Sequence, residues 1–313
     1  MTDNSSITVV LAADDRFSRP LAVAVRSLVA HLRPDRPADV YLLDMGIRPE
    51  NRAKITVAAT GPAVTVHWIS SVSDEVEHLP EAMPLISRAT YARLLIPALL
   101  PPHTNRALYL DSDLIVRRHV GDLFDTAFEG NAAMAVCDAG SPFVSSPHGV
   151  PYWSRCGRSA DETNFNCGVL LMNLDAWRAD NLTAAVFKYL TSGQHQAMAD
   201  QEAINAVLAG RIGSVDPRWN QQTHIYRPVH RSTLPYDEEQ LREILEDPWI
   251  VHFSTVIKPW SYGARHPFRH EWYQYLDQTP YRRWRPSRGG YALELAEKVR
   301  RTIRTYRSEA RMS

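Results

Sequence analysis

Three strand-length apolar runs, separated by helical stretches, fill the first third of this 313-residue chain and restrict its fold more than any other feature. Ile7-Thr8-Val9-Val10-Leu11-Ala12 reads as a buried strand. Residues 19–32 then carry Leu21, Val25, Leu28 and Leu32 at helical spacing. Asp39-Val40-Tyr41-Leu42-Leu43-Asp44 is a second strand. Pro49 opens a second helix, because its fixed φ and missing N–H suit the first helical position. Ala63-Val64-Thr65-Val66-His67-Trp68-Ile69 completes the set. Strands alternating with helices build right-handed crossovers and a parallel sheet, which predicts an α/β class. In such sheets ligands gather beyond the carboxyl ends of the strands.

The later signals extend that sheet. Residues 87–100 read as a helix stopped by Pro101-Pro102. The run Ala107-Leu108-Tyr109-Leu110 reads as a strand whose exit is Asp111-Ser112-Asp113, and a strand over 132–137 delivers Asp138. Residues 139–165 are rich in Gly, Ser and Pro and too long for an ordinary connection. With Phe143, Tyr152 and Trp153 they make either the wall of a binding site or a disordered insert. A strand over 165–174 follows, then helices over 175–191 and 200–209, the last with Asp200 as candidate N-cap and Gly210 as stop. Ile250-Val251-His252-Phe253 is a late strand.

Two carboxylates at i and i+2 of an extended strand share a side, about 6.7 Å apart at Cα, so Asp111 and Asp113 can turn toward one cation. With 20 aspartates in the chain, about one such spacing arises by chance, and a polar turn is the competing reading. Context must decide.

The formal net charge is zero, so no whole-protein field points to nucleic acid. The balance is uneven: residues 281–313 carry ten Lys/Arg against three Asp/Glu, and residues 1–280 carry 25 against 32. Tyr291, Leu295, Val299, Ile303 and Tyr306 recur at helical spacing, with Arg300, Arg301 and Arg304 elsewhere on the turn. That predicts a basic amphipathic helix, lying on a membrane surface or on the protein's own acidic body. We therefore divide the chain into a main domain (1–280) and a basic tail (281–313). Cys137, Cys156 and Cys167 lack metal-ligand spacing and suit a reducing compartment. The amino terminus has no basic stretch and no later apolar run approaches a membrane span, so the expected location is cytoplasmic, with the tail on the inner membrane face.

Six blocks in order give the context. They are Ala12-Ala13-Asp14-Asp15, Ser87-x-x-x-Tyr91-x-Arg93, Leu108-Tyr109-Leu110-Asp111-Ser112-Asp113, Phe165-Asn166-Cys167-Gly168-Val169-Leu170-Leu171-Met172-Asn173, Asp200-Gln201, and His252 with Lys258-Pro259-Trp260. From Ile7 to Trp260 the chain resembles glycosyltransferase family eight, the group of lipopolysaccharide galactosyl- and glucosyltransferases and glycogenin. The resemblance implies a GT-A type fold, a UDP-sugar donor (UDP-glucose or UDP-galactose), a glycan or lipid-linked acceptor, and transfer with retention. It implies Mn²⁺, with Mg²⁺ as the alternative, held by Asp111, Asp113 and His252. Ala12, Asp14 and Phe17 would meet the uracil base, Arg93 and Ser112 the donor, and Lys258 a phosphate. Asp138, Asn166, Asp200 and Gln201 would surround the donor sugar, with Gln201 nearest the reacting carbon. The family commonly has a glycine between the histidine and the lysine, where this chain has Ser254-Thr255-Val256-Ile257. A nucleotidyltransferase, a nucleotide-sugar hydrolase and a non-catalytic binding relative are the competing classes. The first two are disfavoured because the chain has no Gly-rich phosphate loop.

Overall fold

The computed structural model describes residues 6–70, 72–77, 79, 88–192 and 199–290. The expected helix over 291–307 and Ser87 of the second block lie outside these residues. Among the described residues there are ten strands: β1 (Ile7–Ala13), β2 (Ala38–Asp44), β3 (Val64–Ile69), β4 (Arg106–Leu110), β5 (Leu114–Val116), β6 (Ala133–Cys137), β7 (Phe165–Asn173), β8 (Ile212–Ser214), β9 (Gln221–Gln222) and β10 (Ile250–His252). Seven form one sheet in the order β3-β2-β1-β4-β7-β6-β8. All run one way except β7, which is antiparallel to both β4 and β6. The sheet is thus mostly parallel.

Period-2 alternation splits the longer strands of this sheet between two cores. Ile7, Val9 and Leu11 of β1 face the helices Ser18–His31 and Pro49–Ala58. Val10 and Ala12 face the opposite layer, with residues 88–99 and the helices Leu174–Ala179, Leu182–Thr191 and Ala199–Val207. Leu108 and Leu110 of β4 join the first core, and Ala107 and Tyr109 the second. Each buried Val, Leu or Ile among them contributes about 1.5–3 kcal/mol, enough to fix the register of strands covered on both faces.

Three readings change in detail. Residues 88–95 form a 3₁₀ helix and only Ile96–Leu99 is α-helical. Pro97 lacks the N–H that a longer α-helix through this point would use. The stretch 175–191 is two helices, because Asn181 turns left-handed (φ 51°) between them. The 139–165 segment is an ordered loop, pinned by a Phe143–Thr163 bridge and by Val144 N–H on Glu162 O at 2.9 Å.

A second sheet, β5-β10-β9, sits beside the carboxyl end of β4. β5 begins directly after Asp113, and β10 pairs with it antiparallel, His252 opposite Leu114. Behind them Ile115, Val251 and Phe253 pack on Trp272 and Leu276 of the helix Arg269–Leu276. Residues 281–290 continue against the body: Tyr281 donates to Asn51 Oδ1 at 2.9 Å and Arg19 lies over the Trp284 ring. Among the described residues no helix is long and apolar enough to cross a membrane.

Candidate active site

The antiparallel β7 is what assembles the site. Because it runs against its neighbours, its first residues lie at the carboxyl ends of β4 and β6, where Asp111 and Asp138 emerge. Asp111 N–H donates to Gly168 O at 2.8 Å, and Asp138 N–H to Asn164 O at 2.8 Å. A shift in register between β6 and β7 at Met134–Val136 frees Cys167 and Gly168 from the ladder with β6.

Asp111, Asp113 and His252 each offer a ligand atom, and these atoms lie within 4.8 Å of one another. His252 Nε2 is 3.3 Å from Asp113 Oδ1 and 3.6 Å from Asp111 Oδ2. Octahedral ligands about 2.1 Å from a small divalent cation sit about 3 Å apart, so this triad fits one with little movement. Two carboxylates and an imidazole are a donor set for a first-row transition metal rather than calcium. The backbone leaves room for nothing else: a Cβ on Gly168 would fall 2.2 Å from His252 Cε1 and 2.8 Å from Asp111 Oδ2.

Arg93 braces the base of the site. Its Nη2 reaches Asp111 Oδ1 and Thr90 Oγ1, both at 3.0 Å, its Nη1 donates to Cys167 O, and its Nε lies 2.8 Å from Asp200 Oδ2. The ring of Tyr109 lies under the guanidinium, 4.5 Å away, and its hydroxyl donates to Asp111 Oδ1 at 2.8 Å. Burial works to lower the Arg93 pKa, but Asp111 and Asp200 outweigh it and hold the group firmly cationic. Burial dominates at Asp200, whose carboxyl is pushed up although Arg93 and Thr90 pull it down. Asp200 is inside the helix Ala199–Val207 and receives the Thr90 hydroxyl at 2.7 Å. The expected N-cap role therefore gives way to an ion pair across the second core.

Asp113 behaves oppositely. Burial raises its carboxyl, but Lys258 and His252 overcome this and bring it well below the usual range. Lys258 Nζ bonds Asp113 Oδ2 and also donates to Phe253 O at 2.6 Å.

A second cluster lies one strand over. Asp138 Oδ1 accepts from the N–H of Gly140 and Ser141, both at 2.8 Å. Its Oδ2 accepts from Asn166 Nδ2 at 3.0 Å and Gln201 Nε2 at 2.9 Å. Gln201 Oε1 accepts from Cys167 N–H at 3.2 Å and Asn166 Nδ2 at 3.1 Å. All three side chains are buried. Asn220, from the turn before β9, joins the clusters: it lies 2.9 Å from both Asn166 Oδ1 and His252 Nδ1.

The residues expected at the base are differently engaged. Asp14 caps a one-turn 3₁₀ helix through Arg16 and Phe17 N–H and pairs with Arg16 at 2.6 Å. Phe17 meets the edge of Trp260, ring centres 6.0 Å apart. Ser112 Oγ donates to Ala12 O at 2.7 Å, tying the exits of β1 and β4 together. The structure thus brings Asp111, Asp113, His252, Lys258 and Arg93 together, with Asp138, Asn166, Gln201 and Asp200 alongside. The sequence reading missed Asn220, Thr90 and Tyr109. Thr90 and Tyr109 stand inside quoted blocks, whereas Trp219-Asn220 offers no spacing signal.

These features define an α/β enzyme-type domain, with a triad able to hold a cation at the carboxyl edge of its sheet and a polar, hydrogen-bonded cluster beside it. The model of glycosyl transferase family 8 matches residues 8–264, and the chain belongs to that family. It is 28% identical to general stress protein A of Bacillus subtilis over 283 residues, covering 89% of this chain and 96% of that one. With the lipopolysaccharide 1,3-galactosyltransferase of Salmonella typhimurium it shares 25% identity over 202 residues, 62% of this chain and 55% of the other. The galactosyltransferase LgtC, solved with donor and acceptor sugar analogs, superposes with a TM-score of 0.68 at 25% identity, covering 88% of this chain and 96% of that one. The GT-A type fold expected from the sequence is therefore present, and the protein is a glycosyltransferase.

Proposed function

We propose that this protein is a retaining, Mn²⁺-dependent hexosyltransferase that moves glucose or galactose from a UDP-sugar to a hydroxyl of a glycan or lipid-linked acceptor. The observation that carries the reading is the convergence of Asp111, Asp113 and His252 on one point, directly beside the buried Asp138–Asn166–Gln201 cluster. Asp111, Asp113 and His252 would hold the cation, with Mg²⁺ as the alternative. When bound it supplies positive charge to the diphosphate of the leaving nucleotide.

The remaining work falls to the chain's own side chains. Lys258, already facing Asp113, is placed to take a phosphate oxygen as a compact cation. Asp138 and Asn166 offer acceptors and donors to sugar hydroxyls, where an unmatched hydroxyl is penalised heavily. Gln201 is held rigid, its oxygen already accepting two N–H groups and its nitrogen committed to Asp138. That disfavours attack by Gln201 on the anomeric carbon and suits electrostatic support of positive charge there. The anomeric C–O bond breaks and its electron pair leaves with UDP. The acceptor oxygen bonds the same face of that carbon, and its proton passes to the departing phosphate oxygen.

Val144–Trp153 lies over Glu202, one residue beyond Gln201, and its Tyr152 and Trp153 suit an acceptor sugar's faces. We assign catalysis to residues 1–280. The tail 281–313, whose Arg282, Arg283, Arg285 and Arg288 are exposed, suits contact with an anionic inner membrane face from the cytoplasm. The test is UDP release from a panel of nucleotide sugars with Mn²⁺ or chelator, followed by the anomeric configuration of the product. Release from a UDP-hexose above all others, with an axial product linkage, is expected. An inverted product, or release indifferent to the sugar, refutes the reading.

A further inference from the structure

Asn220 touches neither of the two carboxylates in the cation triad, yet every polar atom of its amide is committed between His252 and Asn166. The direction of those bonds follows from groups whose roles cannot change. Gly168 N–H donates to Asn166 Oδ1 at 3.0 Å, and a backbone N–H can only donate. Asn166 Nδ2 faces Asp138 Oδ2 and Gln201 Oε1, and the latter already accepts from Cys167 N–H. The Asn166 amide therefore has one orientation, oxygen toward Asn220. Asn220 must meet that oxygen with its Nδ2, at 2.9 Å, which turns its own Oδ1 to His252 Nδ1 at 2.9 Å. An oxygen with no proton to give requires Nδ1 to carry one. In the neutral ring Nε2 is then the nitrogen with the lone pair, and Nε2 is the atom facing Asp111 and Asp113. Asn220 is 2% exposed, so water does not compete for these bonds.

We propose that Asn220 is the positioning residue for His252: its carbonyl holds the Nδ1–H tautomer and presents Nε2 to the cation, its orientation set by Asn166 and, through Asn166, by the sugar-side cluster. The inference rests on the cation reading above. It adds a link that reading lacks, since a ligand's outer hydrogen bond fixes its tautomer and is worth about 10–100-fold in metal affinity. It also joins the two halves of the site, so that a change at Asn166 is transmitted to the imidazole through one amide.

The test uses the full chain and Mn²⁺ alone, without nucleotide sugar, on wild type, Asn220→Leu and Asn220→Asp. Calorimetry gives the Mn²⁺ affinity, and side-chain ¹⁵N–¹H spectra of the metal-free protein show which His252 nitrogen carries a proton. A slowly exchanging Nδ1–H is expected in wild type and in Asn220→Asp, which keeps an oxygen on Nδ1 while losing the bond to Asn166 Oδ1. In Asn220→Leu that signal is lost and Mn²⁺ affinity falls about 10–100-fold. A merely structural asparagine would change thermal stability and leave the surviving fold's proton on Nδ1. Wild-type spectra with Nδ1 bare, or equal Mn²⁺ affinity in wild type and Asn220→Leu, overturn the relay. Failure of wild type to take up Mn²⁺ while its Nδ1–H persists overturns the cation reading instead, and with it the relay's consequence for metal.

Discussion

Gly168→Ala adds one methyl group at the closest backbone approach in the site, and its effect can be worked out from contacts. The new Cβ would lie 2.2 Å from His252 Cε1 and 2.8 Å from Asp111 Oδ2, where ordinary contact begins at 3.4 Å. His252 must therefore retreat by about 1.2 Å, or β7 must move away from β4 by a similar amount. Neither is easy. His252 is held by Asn220, and Gly168 O receives Asp111 N–H at 2.8 Å. The backbone itself does not oppose alanine, since Gly168 is not among the positive-φ glycines, so the penalty is steric alone. Overpacking of this kind costs about 1–3 kcal/mol of stability, which the fold can survive. A ligand misplaced by about 1 Å costs on the order of 100-fold in rate. The expected result is a folded protein with a modestly lowered Tm, Mn²⁺ affinity reduced at least tenfold, and UDP release reduced about 100-fold. Calorimetry, thermal unfolding and a coupled UDP assay read the three quantities. Wild-type metal affinity and turnover in Gly168→Ala would refute the claim that Asp111 and His252 converge across this glycine.

Other outcomes follow from the same contacts. Asp111→Ala and His252→Ala should each abolish Mn²⁺-dependent UDP release while the circular dichroism spectrum is retained, and full activity in both removes the metal assignment. Arg93→Met leaves the buried Asp200 and the half-buried Asp111 without their cation, and its loss should cost about 3–5 kcal/mol by denaturant unfolding. His266, between Phe253 and Tyr226, is pushed down to about 4 by burial. A depressed histidine favours the folded state above its unfolded pKa of about 6.5, and that contribution drains away as pH falls toward about 4. His266→Phe should flatten the decline in stability over that window, and an unchanged profile contradicts the assignment. Asp237 caps the helix Glu238–Glu246 by accepting Gln240 N–H on Oδ1, and its own N–H donates to Gln240 Oε1. Asp237→Ala should cost about 0.5–2 kcal/mol with catalysis unaffected.

What the sequence made legible divides along physical lines. β1 and β7 carry six and eight buried positions, and β2, β4 and β6 run into Asp44, Asp111 and Asp138, so their hydrophobic runs announce them. β5 and β9, with three and two residues, are too short for any period to register, yet β5 is what brings His252 back to Asp113. The cation triad was read through ordered blocks rather than spacing, since an imidazole 139 positions downstream of Asp113 cannot be located by local rules. Arg93 was read as a donor contact; its three bonds to Asp111, Thr90 and Cys167 and its pairing with Asp200 also make it the internal counter-ion of the site. No local pattern records a charge pair across a core. Asp14 shows the converse: an acidic residue at a strand exit, followed by Arg16 and Phe17 N–H groups, is a cap by elementary capping rules. The Asp237-x-x-Gln240 capping box was equally readable from spacing alone.

The most direct test of the central claim is release of UDP from UDP-glucose and UDP-galactose by the full chain, measured in Mn²⁺, in chelator, and in Mn²⁺ with Asp113→Ala. The account predicts release from one of the two sugars in Mn²⁺ only, and none from Asp113→Ala. Equal release in chelator, or in the Asp113→Ala protein, would contradict it.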